Sequence, residues 1–89
     1  AYLSPDERKR AAALPRVLQQ TAEAIHNGKP VDAALNEGRA ALAEAGFTVD
    51  YLELADAATL QPVRGLKSPA RLLVAAKIGA TRLIDNMAV

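Results

Sequence analysis

The sequence predicts an α+β domain in which two N-terminal helices precede a three-stranded antiparallel sheet and pack on one of its faces. Three observations lead there. Apolar residues recur at helical spacing through the first half, and the period changes to strand-like alternation at Thr48. Two β-prone runs, 72–78 and 82–87, then flank a short connection built around Gly79, where glycine supplies the positive φ of a tight reversal. Helices followed by strands in this order give a sheet with its helices on one side.

The first helix has a defined start. Ser4 caps it, Pro5 falls at the first helical position where a missing N–H costs nothing, and Glu7 stands three residues past the cap. Its buried stripe is Leu14, Val17, Leu18, Thr21 and Ile25, with Arg8, Lys9, Arg16, Gln19 and Glu23 left in water. Pro15 interrupts the pattern, so a kink or a fresh start is expected there. Asn27-Gly28 ends the helix. The second begins near Pro30, buries Val31, Leu35, Gly38, Leu42 and Ala45, and stops before Gly46. Gly38 lies inside that stripe, which reads as close packing of the helix against a neighbour rather than a ligand contact.

Residues 49–54 read as a strand, 57–60 as a short helical turn and 61–69, with two prolines and a glycine, as a loop. Along 72–78, Leu72, Val74, Ala76 and Ile78 share one face; Arg71, Leu73, Ala75 and Lys77 share the other. The last strand carries Asp85-Asn86, two residues of low strand propensity.

At 89 residues the chain is one domain, burying roughly 60–65% of its unfolded surface. Half of it is apolar, 51%, but aromatics make up only 3% and alanine is abundant, so a thin core of modest stability is expected. A net charge of +1 gives no electrostatic case for nucleic acid or an anionic membrane as partner. Without cysteine there is neither disulfide nor thiolate chemistry. No apolar run approaches the ~18 residues of a membrane span and no leader opens the chain, so a soluble, cytoplasmic protein is expected.

Few residues carry chemistry. The single histidine, His26, falls on the polar side of the first helix near its C-terminus and reads as a solvated side chain, because no second group converges on it. No glycine-rich phosphate cradle is encoded. Arg8-Lys9-Arg10 follows Asp6-Glu7 and reads as a solvated helix face. Arg64, Lys67 and Arg71 cluster around the loop before the hairpin, as charged loop residues or as groups meeting a phosphate on a neighbouring domain. The run from Thr81 to Asn86 is the best functional candidate. Arg82 and Asp85, three apart, point to opposite faces of a strand, and one of them with Asn86 can face a partner. Asp85-Asn86 can instead bond local backbone at a bend or bulge.

Three stretches, in order, also carry a family likeness: Tyr2-Leu3-Ser4-Pro5-Asp6-Glu7-Arg8, then Val49-Asp50-Tyr51-Leu52-Glu53-Leu54 with Asp56, then Ala70-Arg71-Leu72-Leu73-Val74-Ala75-Ala76 with Ile78-Gly79 and Thr81-Arg82-Leu83-Ile84-Asp85-Asn86. Together they resemble the C-terminal domain of the pantoate–β-alanine ligases. The resemblance implies an ATP-dependent, AMP-forming enzyme. ATP adenylates pantoate with release of pyrophosphate, and the β-alanine amine then attacks the pantoyl adenylate and releases AMP.

The family's nucleotide-binding elements are a histidine-rich signature in an N-terminal Rossmann-like domain and a Met-Ser-Ser-Arg-Asn segment just ahead of the residues resembling Tyr2-Leu3-Ser4. Neither is in this sequence. The resemblance therefore implies a hinged lid, inactive alone, with no catalytic, cofactor or metal residue of its own. ATP and Mg would act in the full-length enzyme, a homodimer, and the partner would be its N-terminal domain. Interdomain contacts would come from Arg82, Asp85 and Asn86, or from Arg64, Lys67 and Arg71. Ala1 stands where the family has Asn and no initiator Met is present, so residue 1 reads as a cut rather than a natural start. The residues leave two other classes open: a stand-alone protein-interaction module, and a nucleic-acid-binding module using Arg8-Lys9-Arg10, which the near-neutral charge and scarce aromatics disfavour.

Overall fold

The computed structural model of the chain describes residues 3–65 and 69–89. Tyr2, in the first motif, and residues 66–68 of the loop before the hairpin lie outside them. Helix formation begins with a reciprocal cap. The Ser4 hydroxyl accepts from the Glu7 N–H at 3.1 Å, and the Glu7 carboxylate accepts from the Ser4 N–H at 2.9 Å. One turn later Arg10 pairs with Asp6 at 2.9 Å.

The first expected helix is two helices, α1 (Pro5–Ala11) and α2 (Ala13–His26), meeting at Ala12. The break precedes Pro15 for a steric reason: in a continuous helix the proline ring would strike the carbonyl of residue 11. Restarting at Ala13 places Pro15 in the first turn, where its missing N–H is harmless. Helix α3 (Val31–Glu44) follows. Both α2 and α3 end in a Schellman pattern, with Lys29 N–H bonding the Ala24 carbonyl at 3.0 Å and Phe47 N–H bonding the Leu42 carbonyl at 3.0 Å.

Strands β1 (Thr48–Asp56), β2 (Ala70–Ile78) and β3 (Thr81–Ala88) form one antiparallel sheet in that order. Leu52 opposes Val74, Leu54 opposes Leu72, and Leu72 opposes Met87. The register shifts by one residue between Val49 and Tyr51. Strict alternation would put Asp50 on the core side with Leu52; the extra residue leaves it exposed and returns Val49 to the core side. Gly79 reverses the hairpin with φ 58, and a β-carbon there would run into the Glu7 carboxylate. The hairpin turn therefore rests on the capped start of α1.

Helices α2 and α3 pack on one sheet face, α2 against β3 and α3 against β1. Leu14, Val17, Leu18, Thr21 and Ile25 of α2 are buried, as are Val31, Leu35, Gly38 and Leu42 of α3, while Ala45 is half-buried at the end of its helix. The core also takes Phe47, Ala13, Ala22, Ala34 and Ala70, small residues for the most part, which periodicity alone did not mark. Gly38 is where α2, α3 and β1 meet: a β-carbon on it would lie 2.7 Å from Leu52 Cδ2 and 2.8 Å from Thr21 Oγ1.

Residues 57–60 make one turn and go no further. Leu60 N–H bonds the Asp56 carbonyl at 2.8 Å, the spacing of a single helical turn, and the Asp56 carboxylate accepts from the N–H groups of Ala58 and Thr59 at 2.8 and 3.0 Å. Leu60, in the left-handed region at φ 61, stops it. The expected loop beyond it adds to the edge of β1: Val63 N–H bonds the Leu54 carbonyl at 2.9 Å and Pro62 bridges Ala55.

Replacing Gly38 with Ala sets two effects against each other. Alanine gains up to about 1 kcal/mol of helix propensity, but the new methyl overlaps two neighbours and overpacking costs about 1–3 kcal/mol. A net loss is expected in urea denaturation. Leu35→Ala, which empties a buried site on the same helix, should cost about 2–5 kcal/mol in the same measurement.

Candidate functional site

No helix among the described residues covers the sheet face opposite the core, and that face gathers three of the six polar candidates singled out in the sequence. Register puts Arg71, Leu73, Ala75 and Lys77 of β2 there, with Arg82, Ile84 and Asn86 of β3 and Tyr51 and Glu53 of β1. Tyr51, Ala75 and Ile84 share one cross-strand row; Ala75 is fully buried beneath its neighbours and Ile84 is 65% exposed.

Two polar links cross this surface. Arg82 Nε donates to the Asp50 carboxylate at 3.0 Å, reaching over the middle strand to the bulge on β1. Only Nε of that guanidinium is engaged among the described residues, so the Nη donors stay available while the side chain is held in place. Arg71 donates through Nε and Nη2 to the Asn86 side-chain oxygen at 3.1 and 2.6 Å, joining β2 to β3.

The six candidate residues do not form one cluster. Arg82, Asn86 and Arg71 share the outer face. Asp85 opposes Val74 and points to the helix side, half-buried, with its carboxylate accepting from the Asn86 N–H at 2.8 Å. Arg82 and Asp85 thus lie on opposite faces as strand geometry requires, and the local backbone bond foreseen for Asp85-Asn86 is present. Arg64 lies elsewhere, lining a groove with His26 and Lys29 at the turn between α2 and α3. Lys67 lies outside the described residues.

Asp50 is the participant that sequence reasoning passed over. Its signal was a carboxylate in the middle of an apolar strand run, which asks either for a bulge or for a partner, and here has both. Gly38 makes the close helix-to-helix and helix-to-sheet contact expected of it. His26 is exposed.

One apolar core thus lies beneath a sheet whose other face no described helix covers, and the comparisons with known proteins give the chain a family. The family model described as pantoate-beta-alanine ligase matches residues 1–88, and the chain belongs to that family. It is 57% identical over 90 residues to the pantothenate synthetase of Rhizorhabdus wittichii, covering 100% of this chain and 32% of that protein. It is 53% identical over 88 residues to the enzyme of Acidiphilium cryptum, covering 99% and 32%. The crystal structure of pantothenate synthetase from Thermus thermophilus superposes with a TM-score of 0.87 at 39% identity, over 97% of this chain and 32% of that one. The chain thus spans about a third of the length of the curated relatives it matches. None of the helices among the described residues is long and apolar enough to cross a membrane.

The two polar links are solvent-exposed, and exposed pairs contribute only about 0–1 kcal/mol. Arg82→Ala and Asn86→Ala should therefore each shift the thermal midpoint of this chain only slightly. Gly79→Ala should shift it more, because it combines a left-handed φ with displacement of the Glu7 carboxylate from its cap. Circular dichroism melts of the three variants check the ranking.

Proposed function

We propose that the chain is the C-terminal lid domain of a pantoate–β-alanine ligase, closing over an active site on the remainder of the enzyme and without catalytic activity alone. The observation that carries this reading is the alignment of the entire chain with pantothenate synthetases about three times its length. In the intact enzyme ATP would adenylate pantoate, and β-alanine would capture the pantoyl adenylate with release of AMP. An acyl adenylate is prone to hydrolysis, so a rigid domain that swings shut serves the chemistry by excluding water. A single core under three strands supplies such a rigid body.

ATP and Mg belong, in this reading, to the rest of the enzyme, where the family's nucleotide motifs lie. On this chain Arg82 is the residue best prepared to meet a phosphate or the opposing domain. Asp50 fixes its direction and its Nη groups remain as donors, the geometry in which a guanidinium recognises an oxyanion. Arg71 with Asn86 lies on the same face, whereas Asp85 and Arg64 point elsewhere. Association as a homodimer and a cytoplasmic location belong to the same reading.

Two measurements test it. Pantoate-dependent release of pyrophosphate from ATP should be absent for these 89 residues and present for the full-length ligase. In that ligase Arg82→Ala should lower turnover or raise the apparent KM for ATP, with the thermal stability of this domain nearly unchanged. Turnover by the isolated chain, or a destabilised domain with unaltered kinetics in the whole enzyme, overturns the assignment.

A further inference from the structure

Away from the sheet, the turn between α2 and α3 encloses a groove of about 360 Å³ that the lid role does not use. Its lining brings three basic side chains together, His26, Lys29 and Arg64, over a floor of Ile25, Pro30 and Val31. None of the described lining residues is acidic. Of the three, Arg64 is the permanent charge with no ion-pair partner among the described residues. One opposing group approaches, Glu37, which pairs with Lys29 from the next turns of α3. An ammonium carries three donors, so this pairing leaves Lys29 others. Neither Arg64 nor His26 has a side-chain hydrogen-bond or ion-pair partner among the described residues.

The groove lies at the C-terminal, negative end of the α2 dipole, so the side chains must supply the attraction for an anion. The carbonyls at the end of α2 would repel one, but those of Ala24 and Ile25 are closed off by the N–H groups of Lys29 and Gly28. At Gly28 no atom stands within 4 Å of where a β-carbon would be, so the mouth is open.

We propose that this groove is an anion site for a phosphate-bearing small molecule, with Arg64 and Lys29 as the principal contacts and a ring N–H of His26 as a third donor. Arginine and lysine around an apolar floor suit a phosphoryl group on an organic body better than a free halide. The site is separate from the Arg82 face and does not depend on the ligase reading.

The test is a titration of the isotopically labelled 89-residue chain followed by backbone amide shifts, at constant ionic strength set with chloride. Inorganic phosphate, pyrophosphate and AMP are added in separate arms, which distinguishes a free anion from a phosphate monoester. Saturable shifts confined to Gly28, Lys29, Val31 and Gly65 are expected in at least one arm. Arg64→Ala should weaken that binding about tenfold and Arg64→Glu should abolish it, both with an unchanged thermal midpoint, since Arg64 is exposed. Shifts that never saturate, that are equally strong at Arg8, Lys9 and Arg16, or that survive Arg64→Glu overturn the proposal.

Discussion

The packing of this domain is set by the absence of one methyl group. At Gly38 helix α3 comes close enough to α2 and β1 that Thr21 Oγ1 and Leu52 Cδ2 occupy the space a β-carbon would need. Everything downstream follows from that approach. The two long helices share one side of the sheet, Leu18, Leu42, Leu52 and Leu72 become fully buried at their junction, and a core with almost no aromatic mass still closes. Alanine does the rest of the filling. Small residues contribute little area each, and they work here because the backbones are near enough for dense contact.

The same economy leaves the second sheet face without a described helix over it, its charged side chains set among Tyr51, Leu73 and Ile84. A one-residue shift in β1 decides which side Asp50 takes, and so decides whether Arg82 has an anchor. Fold and candidate surface are thus linked by register: the bulge that keeps a carboxylate out of the core also aims a guanidinium at whatever lies above the sheet. Arg71 and Asn86 make a second link on the same surface.

Much of this was legible in the sequence because the relevant signals were local. The Ser4–Glu7 cap, the stripes through Leu18 and Leu42, the alternation along β2, the single turn after Asp56 and the glycine at the hairpin each depend on neighbours within a few residues. The boundary at Ala12 was visible only as a disturbance at Pro15, since the clash falls on a residue four positions earlier. What escaped was long-range. Asp50 and Arg82 are 32 positions apart and meet only through a bulge, which leaves no mark in a hydrophobic pattern. Arg64 and Arg71 looked like one cluster because they are close along the chain, yet one belongs to the helical end and the other to the sheet. The pairing of residues 61–63 with the edge of β1 was hidden for a related reason: Pro62 marks a loop in any local reading, and only the neighbouring strand supplies the bonds that order it.

The rims of the sheet have a consequence for how such a domain behaves when its surroundings move. On the β1 side, the Leu52 carbonyl is taken by Arg39 at 2.8 Å and residues 61–63 lie along the strand. On the β3 side, Asp85 turns a carboxylate toward the helices, so a further strand docking there would have to carry that charge into its new interface. Neither rim invites another strand to add itself. Under the proposed lid role, the domain would expose its flanks each time it parted from its counterpart, and a three-stranded sheet protected in this way along both described rims could do so without seeding cross-strand polymers.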